Sequence, residues 1–301
     1  MLLGEYAVLH GKHALVCAID KRMMVTLSPR DDRKIILDSA LGHLTTYLPK
    51  LTGGAPFQFV LETLRTVKSH LKQGFTLKIE SEFSDQLGFA SSAAVTVATL
   101  SVLLAWLNIS YTKQKVIKLA IKIIREVQGV GSGADVTASV LGGIVFYRAK
   151  PFSTKKLSYQ PDITVVYSGY KTKTVEAIAS VSKKFSKHPK LFKKLCDAIQ
   201  ECTLNGKKAM VRQDAKALGE IMNIQQGLME ALGVNTHALQ EIVAYLQKQP
   251  TLLGAKISGS GLGDSVVALG KIKTADLPML SRSVRIMPAA IAARGVYVEK
   301  I

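Results

Sequence analysis

Between Leu87 and Ser110 the chain carries no charged side chain. A run of that length can span a bilayer, and in water it must be buried on several sides. Its composition decides between the two. It opens as LGFASSAAV, with a glycine and two adjacent serines, carries Thr96, Thr99 and Ser101, and has no second apolar span for company. The expectation is therefore a core helix over 91–107, with no membrane partner. A chain of 301 residues is too long for one ordinary core and comfortable for two compact domains. With 48% hydrophobic and 21% charged residues it reads as globular.

Forty basic against twenty-two acidic residues give a formal charge of +18. The densest basic run, KKFSKHPKLFKK at 183–194, has aromatics only at Phe185 and Phe192. Cys/His fingers, aromatic ribonucleoprotein patterns and basic helices leading into heptads are all missing. The run reads as a solvated face with a part in steering an anionic substrate, and no nucleic-acid partner is expected. Cys17, Cys196 and Cys202 are odd in number and lack metal spacing, and no secretory leader precedes them. A cytoplasmic setting follows, with the thiols acting as small apolar groups.

Period-two alternation and β-branched runs predict strands within 11–27, over 33–38, at 75–82 and at 142–148. Helical spacing predicts helices over 56–72, 91–107 and 113–128, with another opening at Asp135. The prolines and polar residues of 149–161 mark a domain boundary, giving domains 1–155 and 156–301. Beyond it, a strand at 162–169 is followed by helices over 174–185, 189–205, 214–232 and 237–248, and a glycine loop precedes a strand within 253–270. The fold class is α+β.

Three places could carry chemistry. In GFASSAAV, Gly88 permits close backbone approach, and Ser91 and Ser92 stand where a helix leaves N–H groups unpaired. Small side chains keep those groups open and the helix dipole favours an anion, most naturally phosphate. Simple capping with close packing is the competing account. A conventional P-loop would need a lysine before the serine, and none is present. In GVGSGADVTAS at 129–139, Asp135 is either a cap or an acid placed to accept a proton from a substrate hydroxyl. In AKISGSGLGDS at 255–265, Gly259, Gly261 and Gly263 form a loop that does not continue into a dinucleotide fingerprint.

Together, in order, GEYAVLHGKHAL at 4–15, LGFASSAA at 87–94 and KISGSGLGDS at 256–265 resemble the three motifs of the GHMP kinase superfamily. The likeness is greatest to the mevalonate kinases, through the opening motif, VQGVGSGADVTASVLGG and MNIQQGLMEALGVNTHALQEIV at 222–243. It implies an N-terminal domain like ribosomal protein S5 domain 2 and a ferredoxin-like C-terminal domain. It also implies ATP and Mg²⁺, a small-molecule acceptor, and, as an open possibility, a homodimer. Carried over by residue, Gly88, Ala90, Ser91, Ser92 and Ala93 make the phosphate loop, with Ser92 at Mg²⁺ and phosphates. Asp135 becomes the base or orienter toward the acceptor hydroxyl. Glu5 and Thr174 join it as catalytic-site residues, and Gly259, Ser260 and Gly261 support the loop.

Three departures stand beside the likeness. The family's lysine ahead of the first motif has no counterpart in a sequence that opens Met1–Leu2–Leu3–Gly4, and a shortened start is the expected reason. The family's Mg²⁺ glutamate falls on Ile124, which leaves Glu126, two places on, as the candidate ligand. Tyr6 stands where the mevalonate enzymes commonly carry histidine. The implied reaction is ATP-dependent phosphorylation of the 5-hydroxyl of mevalonate, with Lys12, Lys171 and Lys173 as unranked candidates for the acceptor's carboxylate. Phosphomevalonate kinase, diphosphomevalonate decarboxylase and a catalytically silent nucleotide-binding relative are the alternatives.

Overall fold

The computed structural model describes residues 1–83, 90–272 and 283–300. In chain order the strands are β1 (His13–Cys17), β2 (Met23–Pro29), β3 (Lys34–Ser39), β4 (Gly42–Tyr47), β5 (Phe75–Ser81), β6 (Ile144–Arg148), β7 (Ser153–Leu157), β8 (Ile163–Tyr167), β9 (Leu252–Ser258), β10 (Ser265–Gly270) and β11 (Arg285–Met287). The helices are α1 (Gln58–Val67), α2 (Ser91–Trp106), α3 (Lys113–Gln128), α4 (Ala134–Leu141), α5 (Thr174–Phe185), α6 (Pro189–Arg212), α7 (Ala215–Leu232) and α8 (His237–Gln247). Packing divides them into two α+β units that interleave along the sequence. Unit one takes residues 1–20, 142–272 and 283–293, and unit two takes 21–83, 90–141 and 294–300.

In unit two the sheet order is β2-β5-β3-β4, with β3 and β5 parallel and the other pairs antiparallel. Alternation works as expected here. Ile35 and Leu37 of β3 lie in register with Phe75 and Leu77 of β5, all four fully buried. The uncharged helix α2 contacts β2, α1, α3 and α4 and so is buried on several sides, as its all-round apolar sequence requires. No helix among the described residues is long and apolar enough to cross a membrane. Helix α3 begins where Thr112 accepts the Lys115 N–H at 3.2 Å and ends at Gly129 in the left-handed region, a sequence-legible start and stop.

Unit one holds an antiparallel sheet, β11-β8-β10-β9, and a three-stranded one, β1-β6-β7. All five residues of β8 are buried, as befits an inner strand. Helix α7 lies against β9 so closely that a Cβ on Gly219 would meet the Leu253 carbonyl oxygen at 2.2 Å. The expected end of α6 at 205 is corrected, since the helix runs on to Arg212. Gly206 is not a stop. It is a gap filled by Leu3, whose Cδ1 would sit 2.2 Å from an added Cβ. β4, β7, β9 and β11 were not anticipated, the single strand expected within 253–270 being β10. β7 lies within the expected linker, and the cut expected after residue 155 falls inside it, where its residues pair with β6.

Candidate functional site

In unit two the chain enters α2 through Ala90 at φ 54°, a left-handed conformation that ordinary residues adopt at a cost. Among the described residues no side chain caps this helix end. Ser91 and Ser92 are its first two residues, both half-buried, and Ala93 is buried behind them. A helix start that presents hydroxyls and a methyl group can accept an anion on its N–H groups. Gly88, the expected hinge of the loop, lies outside the described residues.

Asp135 is the second residue of α4, which packs directly on α2. The capping account of this aspartate does not hold, because Ser132 Oγ takes the Ala134 N–H at 3.2 Å and Thr137 N–H bonds the Gly133 carbonyl. The Asp135 carboxylate is exposed and has no hydrogen-bond or ion-pair partner among the described residues. Glu126 is likewise exposed on α3, which packs on both α2 and α4, whereas the Ile124 side chain is buried. Among the described residues no three His, Cys, Asp or Glu side chains gather as a metal site. One hydroxyl at Ser92 and one carboxylate at Glu126 are a sparse donor set. It suits a hard ion that keeps most of its ligands from water and phosphate, the habit of Mg²⁺.

In unit one the first motif and the glycine loop are stitched together. Lys256 Nζ donates to Glu5 Oε1 at 2.5 Å, with both side chains buried, and it also donates to the Ile257 carbonyl. Gln225 Nε2 donates to the other Glu5 oxygen, and Gln225 Oε1 accepts the Gly4 N–H at 3.3 Å. Burial pushes the Lys256 amine down, against the pull of Glu5. Tyr6, at φ 59°, donates its hydroxyl to the Ser260 carbonyl at 2.6 Å, and burial above all raises its pKa. Glu5 is thus an inner ion-pair member, not a solvent-facing acid. Sequence reasoning missed Lys256, Gln225 and the Tyr6 contact.

The glycines of the loop differ from one another. Gly259 has nothing within 4 Å of an added Cβ, so its backbone face is open. Gly261 abuts Val234 and Gly263 abuts the Tyr170 ring, so these two serve close approach between loops. Three loops meet there: Leu262 N–H bonds the Val234 carbonyl at 2.8 Å, Asp264 N–H the Tyr170 carbonyl at 2.9 Å, and Ser168 N–H the Asp264 carbonyl at 2.8 Å. Thr174 heads α5, exposed and without a capping bond. Thr172, two residues earlier, is the one that reaches the glycine loop, donating to the Leu262 carbonyl at 2.5 Å. Asp264 itself is buried, its Oδ1 has no hydrogen-bond partner among the described residues, and burial pushes its carboxyl up to about 6 against the pull of Lys171. Of the other two lysines singled out in the sequence, Lys12 is bound to Asp197 at 2.5 Å and Lys173 lies 3.6 Å from Glu176.

Comparison with known proteins gives consistent results. The pattern for the GHMP kinases N terminal domain matches residues 58–143, and that for the GHMP kinases C terminal domain matches 207–276. The mevalonate kinase of Pyrococcus horikoshii is 30% identical over an alignment that takes in 100% of this chain and 96% of that protein. The mevalonate kinase of Thermococcus sibiricus is 29% identical with the same coverage. The crystal structure of the Methanococcus jannaschii mevalonate kinase superposes with a TM-score of 0.80 at 22% identity, covering 96% of this chain and 95% of that one.

Proposed function

The chain belongs to the mevalonate kinase family of the GHMP kinases and is an ATP-dependent kinase, and from that membership we propose that it transfers the γ-phosphoryl group of ATP to the 5-hydroxyl of mevalonate. One observation carries the local chemistry. The uncapped start of α2 and the unpartnered carboxylate of Asp135 stand on two helices packed directly together in one unit.

In this reading the N–H groups of Ser91, Ser92 and Ala93 take the phosphate oxygens, with the α2 dipole favouring their charge. Ser92 and Glu126 are the residues that would hold Mg²⁺, which neutralises charge on the phosphates. Asp135 accepts the hydrogen of the acceptor hydroxyl. That oxygen then forms its bond to the γ-phosphorus as the bond from phosphorus to the β-phosphate oxygen breaks and ADP leaves. Glu5 acts through Lys256 by fixing the strand that leads into the glycine loop of Gly259, Ser260 and Gly261. A cytoplasmic setting belongs to the same reading, supported by the buried thiols of Cys196 and Cys202, whose pKa values burial raises, that of Cys196 to about 11.

A coupled ADP-release assay tests the assignment. Turnover is expected with mevalonate, and Asp135→Asn should lower kcat by about 10²–10⁴-fold, the usual worth of a positioned proton acceptor. Turnover with 5-phosphomevalonate alone would transfer the assignment to the sister activity.

A further inference from the structure

Asp135 stands in the first turn of α4, a helix of only eight residues. Two turns of helix have little stability of their own, so the chain around them decides where such a helix begins. This one closes its first turn on Gly133, whose carbonyl accepts the Thr137 N–H at 3.0 Å and the Thr137 hydroxyl at 2.8 Å. Gly133 itself lies in the left-handed region at φ 84°. With Ser132 Oγ on the Ala134 N–H, these bonds shape the turn from within. Bonds inside a turn fix its form, and something outside it must fix its place.

Arg125, in the last turn of α3, supplies that hold. Its Nε donates to the Gly131 carbonyl at 3.0 Å, a charge-assisted bond with a fixed direction. Its own carbonyl accepts the Gly129 N–H at 2.8 Å, so one residue grips the loop at two points. The arginine stem follows the loop as well. Its Cγ lies 3.9 Å from where a Cβ on Gly131 would stand, and Ile124 Cγ2 would be 3.3 Å from the same point. The loop is thereby drawn close along α3. Farther on, α4 is secured in other ways: Val136, Thr137 and Ala138 are buried, and the Ser139 carbonyl accepts the Val296 N–H at 2.8 Å. That last bond answers one of the carbonyls a helix end leaves open. The start of α4 is where Arg125 acts, and Asp135 is there.

We infer that Arg125 is a positioning residue for Asp135. By holding Gly131 to α3 it sets the place at which α4 begins, and so the direction in which the first turn presents its carboxylate. This rests on the mevalonate kinase reading and adds to it a residue that serves the reaction without touching a substrate. A proton acceptor displaced by about 1 Å can cost ~10²-fold in rate. A loop that loses one anchor and keeps its internal bonds should lose less, about tenfold in kcat. Neither the α2 start nor the acceptor meets the guanidinium in this arrangement, so the KM values should hold.

Arg125→Gln, Arg125→Lys and Arg125→Gln combined with Asp135→Asn separate the outcomes. In Arg125→Gln, kcat should fall about tenfold while KM for ATP and for mevalonate stay within about twofold. Arg125→Lys keeps a cationic donor on a long stem and should bring kcat back to within about threefold. On the Asp135→Asn background Arg125→Gln should change kcat by less than about twofold, because the carboxylate it places is gone. Amide hydrogen exchange over 131–137 should quicken several-fold in Arg125→Gln and not in Arg125→Lys, a readout that needs no turnover. Unchanged kcat in Arg125→Gln, in a chain that phosphorylates mevalonate normally, overturns this inference alone. A rise in KM for ATP larger than the fall in kcat overturns it as well, since it marks contact with the nucleotide, and so does a full tenfold fall on the Asp135→Asn background. Absence of mevalonate turnover in the unaltered chain overturns the acceptor assignment. Exchange then decides the restraint by itself: quickening at 131–137 supports it, and unchanged exchange overturns it.

Discussion

Asp264 is a buried acid whose charge works against folding at neutral pH, and the sign can be worked out. Its carboxyl is pushed up to about 6 from an ordinary 3.8, so the folded protein binds this proton more tightly than the unfolded chain. Stability associated with it is fully present below pH 3.8 and is lost as pH rises to about 6. At neutral pH the cost is on the order of 3 kcal/mol by the standard conversion of a pKa shift. Asp264→Asn is therefore expected to melt at a higher temperature than the unaltered chain at pH 7.5. The difference should vanish below pH 4, as read by thermal denaturation across that range. A residue retained at such a cost beside a glycine loop fits the tendency of perturbed acids to gather at working sites.

At the scale of elements, the tie between the first motif and β9 is a buried ion pair, and its two halves should behave unequally when altered. Lys256→Met leaves Glu5 buried without its cation and is expected to cost about 3–5 kcal/mol in chemical denaturation. Adding Glu5→Gln should recover much of that loss, because Gln225 can still bond to a neutral amide. How far such elements could be read beforehand depended on what each residue does. Thr112 with Gly129, and Asp214 with Gly233, mark helix ends by local chemistry that the sequence spells out. Gly206 looks like the same signal but is needed for the Leu3 side chain, a partner about two hundred residues away in sequence. β7, sequence STKKL, has four exposed residues of five and is an edge strand without an apolar face to betray it. The serine pair that opens α2 falls at a helix start, where local sequence signals put it. Lys256 was not legible in this way, since lysine is ordinarily a surface residue and its burial depends on Glu5 arriving from the other end of the chain.

For the molecule as a whole, the charge of +18 should act on encounter more than on chemistry. Lys183, Lys187, Lys190, Lys193 and Lys194 are all exposed on α5, α6 and the turn between them, so the field extends into solvent. At low salt it draws anions, and at about 0.15 M the screening length shrinks to ~8 Å. The value of kcat/KM for ATP is expected to fall several-fold between about 20 and 300 mM salt while kcat stays nearly level, as steering predicts. An equal fall in both would point to damage to the fold instead. The interleaving of the two units has a consequence for synthesis on the ribosome. β1 emerges first, but its register partner for His13 is Arg148 in β6. The β6-facing edge of an apolar strand must then wait while nearly all of unit two is made. Slowing elongation within 21–141 should therefore lengthen the life of a nascent chain with a bare strand at its head, the kind of species that trigger factor-like chaperones bind.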